Sequence, residues 1–241
     1  GSNPMFRDSV AENIMLDSKP MSVQGAVNKS FLLLGFVLLS GVFSWHIMSK
    51  GFTDLGGIIM FASAIIGFIL AIVTSFKPHI AKVTSIPYAM CEGLLLGAVS
   101  CQFESMFNGI VLNAIGITLA TLFVMLFLYK TKVIQATERF KKVMITATLG
   151  IALYYLIAFI AGLFGHPINV LNGGMVGIGI SLFVCGIAAL NLIIDFDFIE
   201  KGSSNMLPDY FEWYGAFGLL VTLVWLYFEV LKLLARLNSR D

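Results

Sequence analysis

LNLIIDFDFIE, residues 190–200, closes an apolar run that begins near residue 174, and LVWLYFEVLKLL, residues 223–234, lies inside a second run near the end of the chain. A helix needs about 20 mostly apolar residues to cross the hydrocarbon of a bilayer. Both runs are long enough, yet they carry Asp195, Asp197 and Glu229. An acid at the centre of a membrane helix costs about 2.5–3.5 kcal/mol on insertion scales, so such residues face other helices or a water-filled cavity. These acids are therefore the first candidates for a proton or cation site.

Composition extends that reading to the whole chain. Of 241 residues, 58% are hydrophobic and only 12% charged, with a mean hydropathy of +0.91. An ordinary soluble domain is excluded. Turn residues and charges mark off seven spans, near 28–49, 55–76, 86–104, 109–130, 143–165, 174–199 and 212–236. Each must satisfy its own backbone hydrogen bonds in lipid, which predicts helices. The expected fold is an all-α membrane protein, a seven-transmembrane-helix bundle, with residues 1–27 as a cytoplasmic tail, 28–236 as one transmembrane domain and 237–241 as a short C-terminal tail.

Basic residues orient the spans. With the N-terminus on one side, that side collects 11 Lys and Arg and the other receives 4, namely Lys50, Lys232, Arg236 and Arg240. The excess puts the N-terminus in the cytoplasm and, with an odd number of spans, the C-terminus outside. Residues 1–27 lack the apolar core of a signal peptide. Cys91, Cys101 and Cys185 all fall in predicted spans without C-x-x-C spacing and read as small packing residues. A net charge of +1 makes no electrostatic case for nucleic acid. The basic loop KTKVIQATERFKK reads as a solvated segment touching anionic headgroups.

Helical geometry sorts the acids. Asn191 and Asp195 are four apart and share a face, whereas Asp197 is rotated by about 200° from Asp195. Asp195 is expected to point inward, with Asp197 meeting Lys201 on the outer side. On the seventh span Thr222, Trp225 and Glu229 form one stripe, followed by Lys232 one turn on. Glu92, in PYAMCEG, is the acid of the third span and a pore-lining candidate. Gly93-x-x-x-Gly97 and Gly173-x-x-x-Gly177, the latter followed by Gly179, Ser181 and Gly186, predict close helix packing and a central sixth helix. Depth is the open point: Asp195 lies near the cytoplasmic end of its span and Glu229 near the outer end of the next, so the two meet only if the last helix is shifted or enters the membrane early, near Pro208 and Asp209.

Seven spans with Ile-Ile-Asp195-Phe-Asp197-Phe-Ile in the sixth and Leu-Tyr-Phe-Glu229-Val in the seventh resemble the Bax inhibitor-1 (transmembrane Bax inhibitor motif) family. Asn3-Pro4-Met5-Phe6 is similar to the start of a bacterial branch, which implies a bacterial plasma membrane. The resemblance implies a pH-sensitive calcium leak governed by two acids that share a proton, and these match Asp195 and Glu229. The chain departs from the pattern in having Glu where the family has Asp at the second acid, and Lys232 where Asn is frequent. Lys77 or Lys82 would stand in for the arginine that latches the acid pair in some members.

Two close carboxylates in a low dielectric cannot both ionise cheaply and titrate as a unit. Together with Asn191 they would offer calcium a weak oxygen site, with calcium as transported ion and no resident cofactor. A proton-coupled cation exchanger would use the same acids, and a regulatory membrane protein acting through partners is the third alternative. An enzyme is not expected: no G-x-G-D precedes Asp195, and His46, His79 and His166 lie near span ends or loops, outside any H-E-x-x-H pattern.

Overall fold

The computed structural model describes residues 19–165 and 174–239. Most of the expected N-terminal tail, Asn3-Pro4-Met5-Phe6, His166, Gly173 and the last two residues lie outside the described residues. The described residues form seven long helices: α1 (Val23–Ser49), α2 (Thr53–Phe76), α3 (Ala81–Met106, after a 3-10 turn Pro78–Ile80), α4 (Ile110–Lys130), α5 (Glu138–Leu163), α6 (Gly174–Ser204) and α7 (Tyr210–Asn238). All seven are long and apolar enough to cross a membrane.

Several helices begin earlier than hydropathy predicts, because polar residues continue the helix beyond the apolar stretch. α1 starts at Val23, where Ser22 in an extended conformation accepts from the Gly25 N–H at 2.9 Å, a standard N-cap. α5 starts at Glu138, capped by Thr137 through the Phe140 N–H at 3.2 Å. α3 runs through Pro87 instead of starting beside it. Its first turns are held by hydroxyls, with Ser85 bonding back to the Ala81 carbonyl at 2.6 Å and Thr84 meeting Thr74 of α2 at 2.7 Å. Before α4, the Glu104 carboxylate accepts from the N–H groups of Gly109 (2.6 Å) and Val111 (3.1 Å), with Gly109 at φ +81° making the turn.

Within the span predicted as one transmembrane domain, the chain groups into two compact units. The first comprises residues up to Gly97 together with Phe198–Leu220. There α1 and α3 touch at backbone distance: a side chain at Gly97 would strike the Gly41 carbonyl, and one at Gly93 would strike Ser40 and the Val37 carbonyl. The predicted G-x-x-x-G contact of the third span is thus an α1–α3 contact. The chain before α1 pairs with the link between α6 and α7, the Met21 N–H donating to the Leu207 carbonyl at 2.7 Å. Beneath that link Met21, Ala26 and Ile199 pack with Phe198, Leu207 and Phe211.

The second unit comprises Ala98–Asp197 with Val221–Asp241. α5 turns a broad apolar face outward, including exposed Val143, Leu149, Leu153 and Leu156, as a helix facing lipid does. α6 and α7 are the most buried spans. Within the small-residue pattern of α6, side chains at Gly179 and Gly186 would meet open space, whereas Gly177, Ser181 and Ala188 are buried. Burial rises in its second half, where Leu192, Ile193, Phe196 and Asp197 are all enclosed.

Candidate functional site

The second unit assembles the predicted acids. Glu229 is 2% exposed, enclosed by two turns of α7 and by α5. Its Oε1 accepts from the Tyr155 hydroxyl (2.8 Å), the Trp225 indole N–H (3.2 Å) and the Lys232 ammonium (2.7 Å). Lys232 also donates to the Tyr155 oxygen at 3.0 Å and lies 4.6 Å from the centre of its ring. A buried carboxylate needs this many donors, since an unpaired charge in a low dielectric is costly. Lys232 is therefore an ion-pair partner, and the local pairing available at i+3 is the one the fold uses.

Asp195 is half-buried as a residue, but its Oδ2 is sealed from solvent and has no hydrogen-bond partner among the described residues. The Thr222 side chain of α7 stands beside its carboxylate. Asn191, one turn earlier, donates to the Thr148 hydroxyl of α5 at 3.0 Å and to the Ile187 carbonyl at 2.8 Å.

The outward placement of Asp197 is corrected. It is 7% exposed, and its Oδ2 lies 2.7 Å from the Lys141 ammonium of α5. The single-inward-face expectation fails because this half of α6 is enclosed on both sides, so residues about 200° apart are both interior. Lys141 also reaches Glu138 at 3.7 Å, an exposed neighbour that contributes little.

Contacts along α6 and α7 set the vertical register. Asp195 meets Thr222, and fourteen residues back along α6 Ser181 accepts from Arg236, fourteen residues on along α7. The helices are antiparallel, and because Arg236 reaches both Ser181 and the Gly177 carbonyl, Glu229 stands level with the turn Val184–Ala188. Seven residues separate Glu229 from Thr222, about 10 Å along the axis. Each acid has its own donors at its own depth. A proton shared directly by Asp195 and Glu229 requires hydrogen-bond distance, and the register does not supply it.

A family model described as "Bax inhibitor 1 like" matches residues 3–239. The chain belongs to the Bax inhibitor-1-like family. No curated protein and no solved structure matches it.

Other expected positions of this Bax inhibitor-1-like chain lie in the first unit. Glu92 is half-buried on α3 with the Tyr88 side chain beside it, one turn earlier. Tyr88 is itself held edge-on to Phe217 at 4.9 Å. Lys77 and Lys82 are exposed at the α2–α3 connection. The basic side chains seated against polar groups in the second unit are instead Lys141, Lys232 and Arg236, the last donating to Ser181 and to the Gly177 carbonyl at 2.9 Å. Sequence reasoning passed over Lys141, Tyr155 and Arg236. The signal available was spacing: Lys141, Thr148 and Tyr155 are seven apart, as are Thr222, Glu229 and Arg236. Among the described residues no three His, Cys, Asp or Glu side chains gather into a metal site.

Proposed function

We propose that this Bax inhibitor-1-like membrane protein is a pH-sensitive calcium leak channel of a bacterial plasma membrane, with its N-terminus in the cytoplasm and Asp195 and Glu229 as its proton-linked carboxylates. One observation carries this reading. Asp195 keeps a sealed carboxylate oxygen without a hydrogen-bond partner in the interior of a spanning helix, where carboxylates are retained for ion or proton traffic. Glu229, held by Tyr155, Trp225 and Lys232, is the second station. Because the two lie at different depths, they act in this conformation as successive stations and not as one pair sharing a proton. Hard cations take oxygen ligands, and weak successive sites allow an ion to leave as well as enter.

The test is flux from liposomes loaded with a calcium dye. The protein should pass calcium down its gradient without an imposed proton gradient, and Asp195→Asn should remove most of the pH dependence. Glu229→Gln should shift the profile and leave the Asp195 step in place. Flux that requires a proton gradient would replace the channel by an exchanger. Absence of any cation flux would favour a regulatory protein acting through partners.

A further inference from the structure

The link between α4 and α5 carries positive charge that the chain itself leaves unbalanced. Lys130, Lys132, Arg139 and Lys142 are exposed and form no ion pair among the described residues, whereas Lys29, Lys141 and Lys232 are each paired inside the protein. The single acid of this segment, Glu138, lies 3.7 Å from Lys141. The cations stand on a fixed backbone. Past the end of α4 the N–H groups of Thr131, Lys132 and Ile134 donate to the carbonyls of Phe127 (2.9 Å), Tyr129 (3.0 Å) and Leu128 (3.2 Å), Ala136 is buried, and Thr137 caps α5. Lys132 stands at φ +59°, in the left-handed region that favours glycine, so the turn keeps an ammonium group where the backbone alone would prefer no side chain.

These cations cap two apolar stripes. On α4, Phe123, Phe127 and Lys130 fall at i, i+4 and i+7, and both rings are exposed. On α5, Lys142, Leu149 and Leu153 share a face at i, i+7 and i+11, and Val143 lies one turn beyond Arg139. All three of these aliphatic side chains are exposed. In a bilayer such surfaces contact acyl chains, and a long basic side chain at the end of the span carries its charge up to headgroup depth. Lys141, between Arg139 and Lys142 in sequence, turns the other way and holds Asp197 of α6 at 2.7 Å. The first turns of α5 therefore send one cation into the protein and leave its neighbours on the lipid side.

We propose that Lys130, Arg139 and Lys142 form a binding site for the headgroup of one anionic phospholipid, whose acyl chains lie along the exposed faces of α4 and α5 below them. The guanidinium of Arg139 suits two oxygens of a phosphodiester, and the two ammonium groups add point charges. A zwitterionic lipid brings the same phosphate together with its own cation, so it gains less from the three basic residues. A free phosphate ester gains the charge contacts but leaves Phe127, Val143 and Leu149 uncovered. The site differs from the general attraction of a basic loop to a negative surface, in which every lysine counts alike. Here the fixed link and the two stripes make particular residues count, and one lipid stays with the protein out of the bilayer.

Lipid titration of the intact chain in a neutral detergent tests the site. Dioleoyl phosphatidylglycerol and dioleoyl phosphatidylcholine are added in turn, and bound lipid is read by native mass spectrometry. Phosphatidylglycerol should appear as a discrete adduct and bind more tightly than phosphatidylcholine. Changing Lys130, Arg139 and Lys142 together to Gln should weaken it by about a hundredfold, roughly fivefold for each charge. Lys130→Arg with Lys142→Arg, which keeps the charge, should retain the lipid. Lys77→Gln with Lys82→Gln, at the exposed α2–α3 connection, should leave binding unchanged. If the triple variant loses its thermal transition, Arg139→Gln alone, with a loss of about fivefold, carries the same comparison. Equal losses from the two sets of Gln variants, or equal binding of the two lipids, overturn the site. Displacement of the lipid by glycerol 3-phosphate at the same concentration would assign the cations to a free phosphate ester and overturn the lipid assignment.

Discussion

α7 carries a buried glutamate near each end, and the two are neutralised in different ways. Glu229 takes its lysine from the next turn of its own helix, at i+3. Glu212, 7% exposed in the first turn, takes Lys29 from α1, 183 residues away in the chain. It also accepts from the Ser22 N–H (2.8 Å) and hydroxyl (3.0 Å), while Lys29 lies 5.5 Å from the Trp213 ring centre. Gly25 makes room for this, since a side chain there would run into the Glu212 carboxylate. A local pair follows its helix wherever the helix goes. A long-range pair ties the start of α1 to the start of α7, so it bears on stability where the first bears on the state of one carboxylate.

The comparison predicts unequal costs. Glu212→Ala should be the most damaging change, because it leaves Lys29 without its counter-charge and strips Ser22 of its acceptor. The Lys29 side chain is only 22% exposed, so the expected loss is about 2–4 kcal/mol, reduced from the fully buried case by that exposure. Thermal unfolding in detergent measures it, and a transition as high as that of the unaltered protein would break the contrast.

Glu229→Gln should cost about 1 kcal/mol, since Lys232 keeps 34% of its side chain exposed and can swing its ammonium toward the headgroups. A loss equal to that of Glu212→Ala would show that Lys232 is as confined as Lys29. Smallest of all, Tyr155→Phe removes one donor from Glu229 and should lower stability by about 0.5 kcal/mol. It sharpens the contrast if the loss disappears in a Glu229→Gln background, because the hydroxyl then has no carboxylate to serve.

Residues of the first unit show how far hydropathy reaches. Apolar runs located all the spans, because about 20 apolar residues in series have one stable solution in lipid. They placed the start of α3 five residues late: Lys82, Thr84 and Ser85 look like a loop by composition, yet the hydroxyls of Thr84 and Ser85 bond back to the chain one turn earlier and continue the helix. The α1–α3 contact was legible as Gly93-x-x-x-Gly97, though its partner, Gly41, was not.

The order of residues along single helices determined the class of protein, the seven spans, the intramembrane acids and the i+3 pairing of Glu229 with Lys232, because each depends only on composition and the 3.6-residue turn. Tertiary structure decided the rest. Lys141 reaches Asp197, Thr222 reaches Asp195 and Arg236 reaches Ser181 across helix interfaces whose register no single helix specifies. Burial of Asp197 depended on what encloses α6 and not on its helical angle from Asp195. The separation of Asp195 from Glu229 follows from the sliding offset of two antiparallel helices, and that offset is set by packing along their whole length.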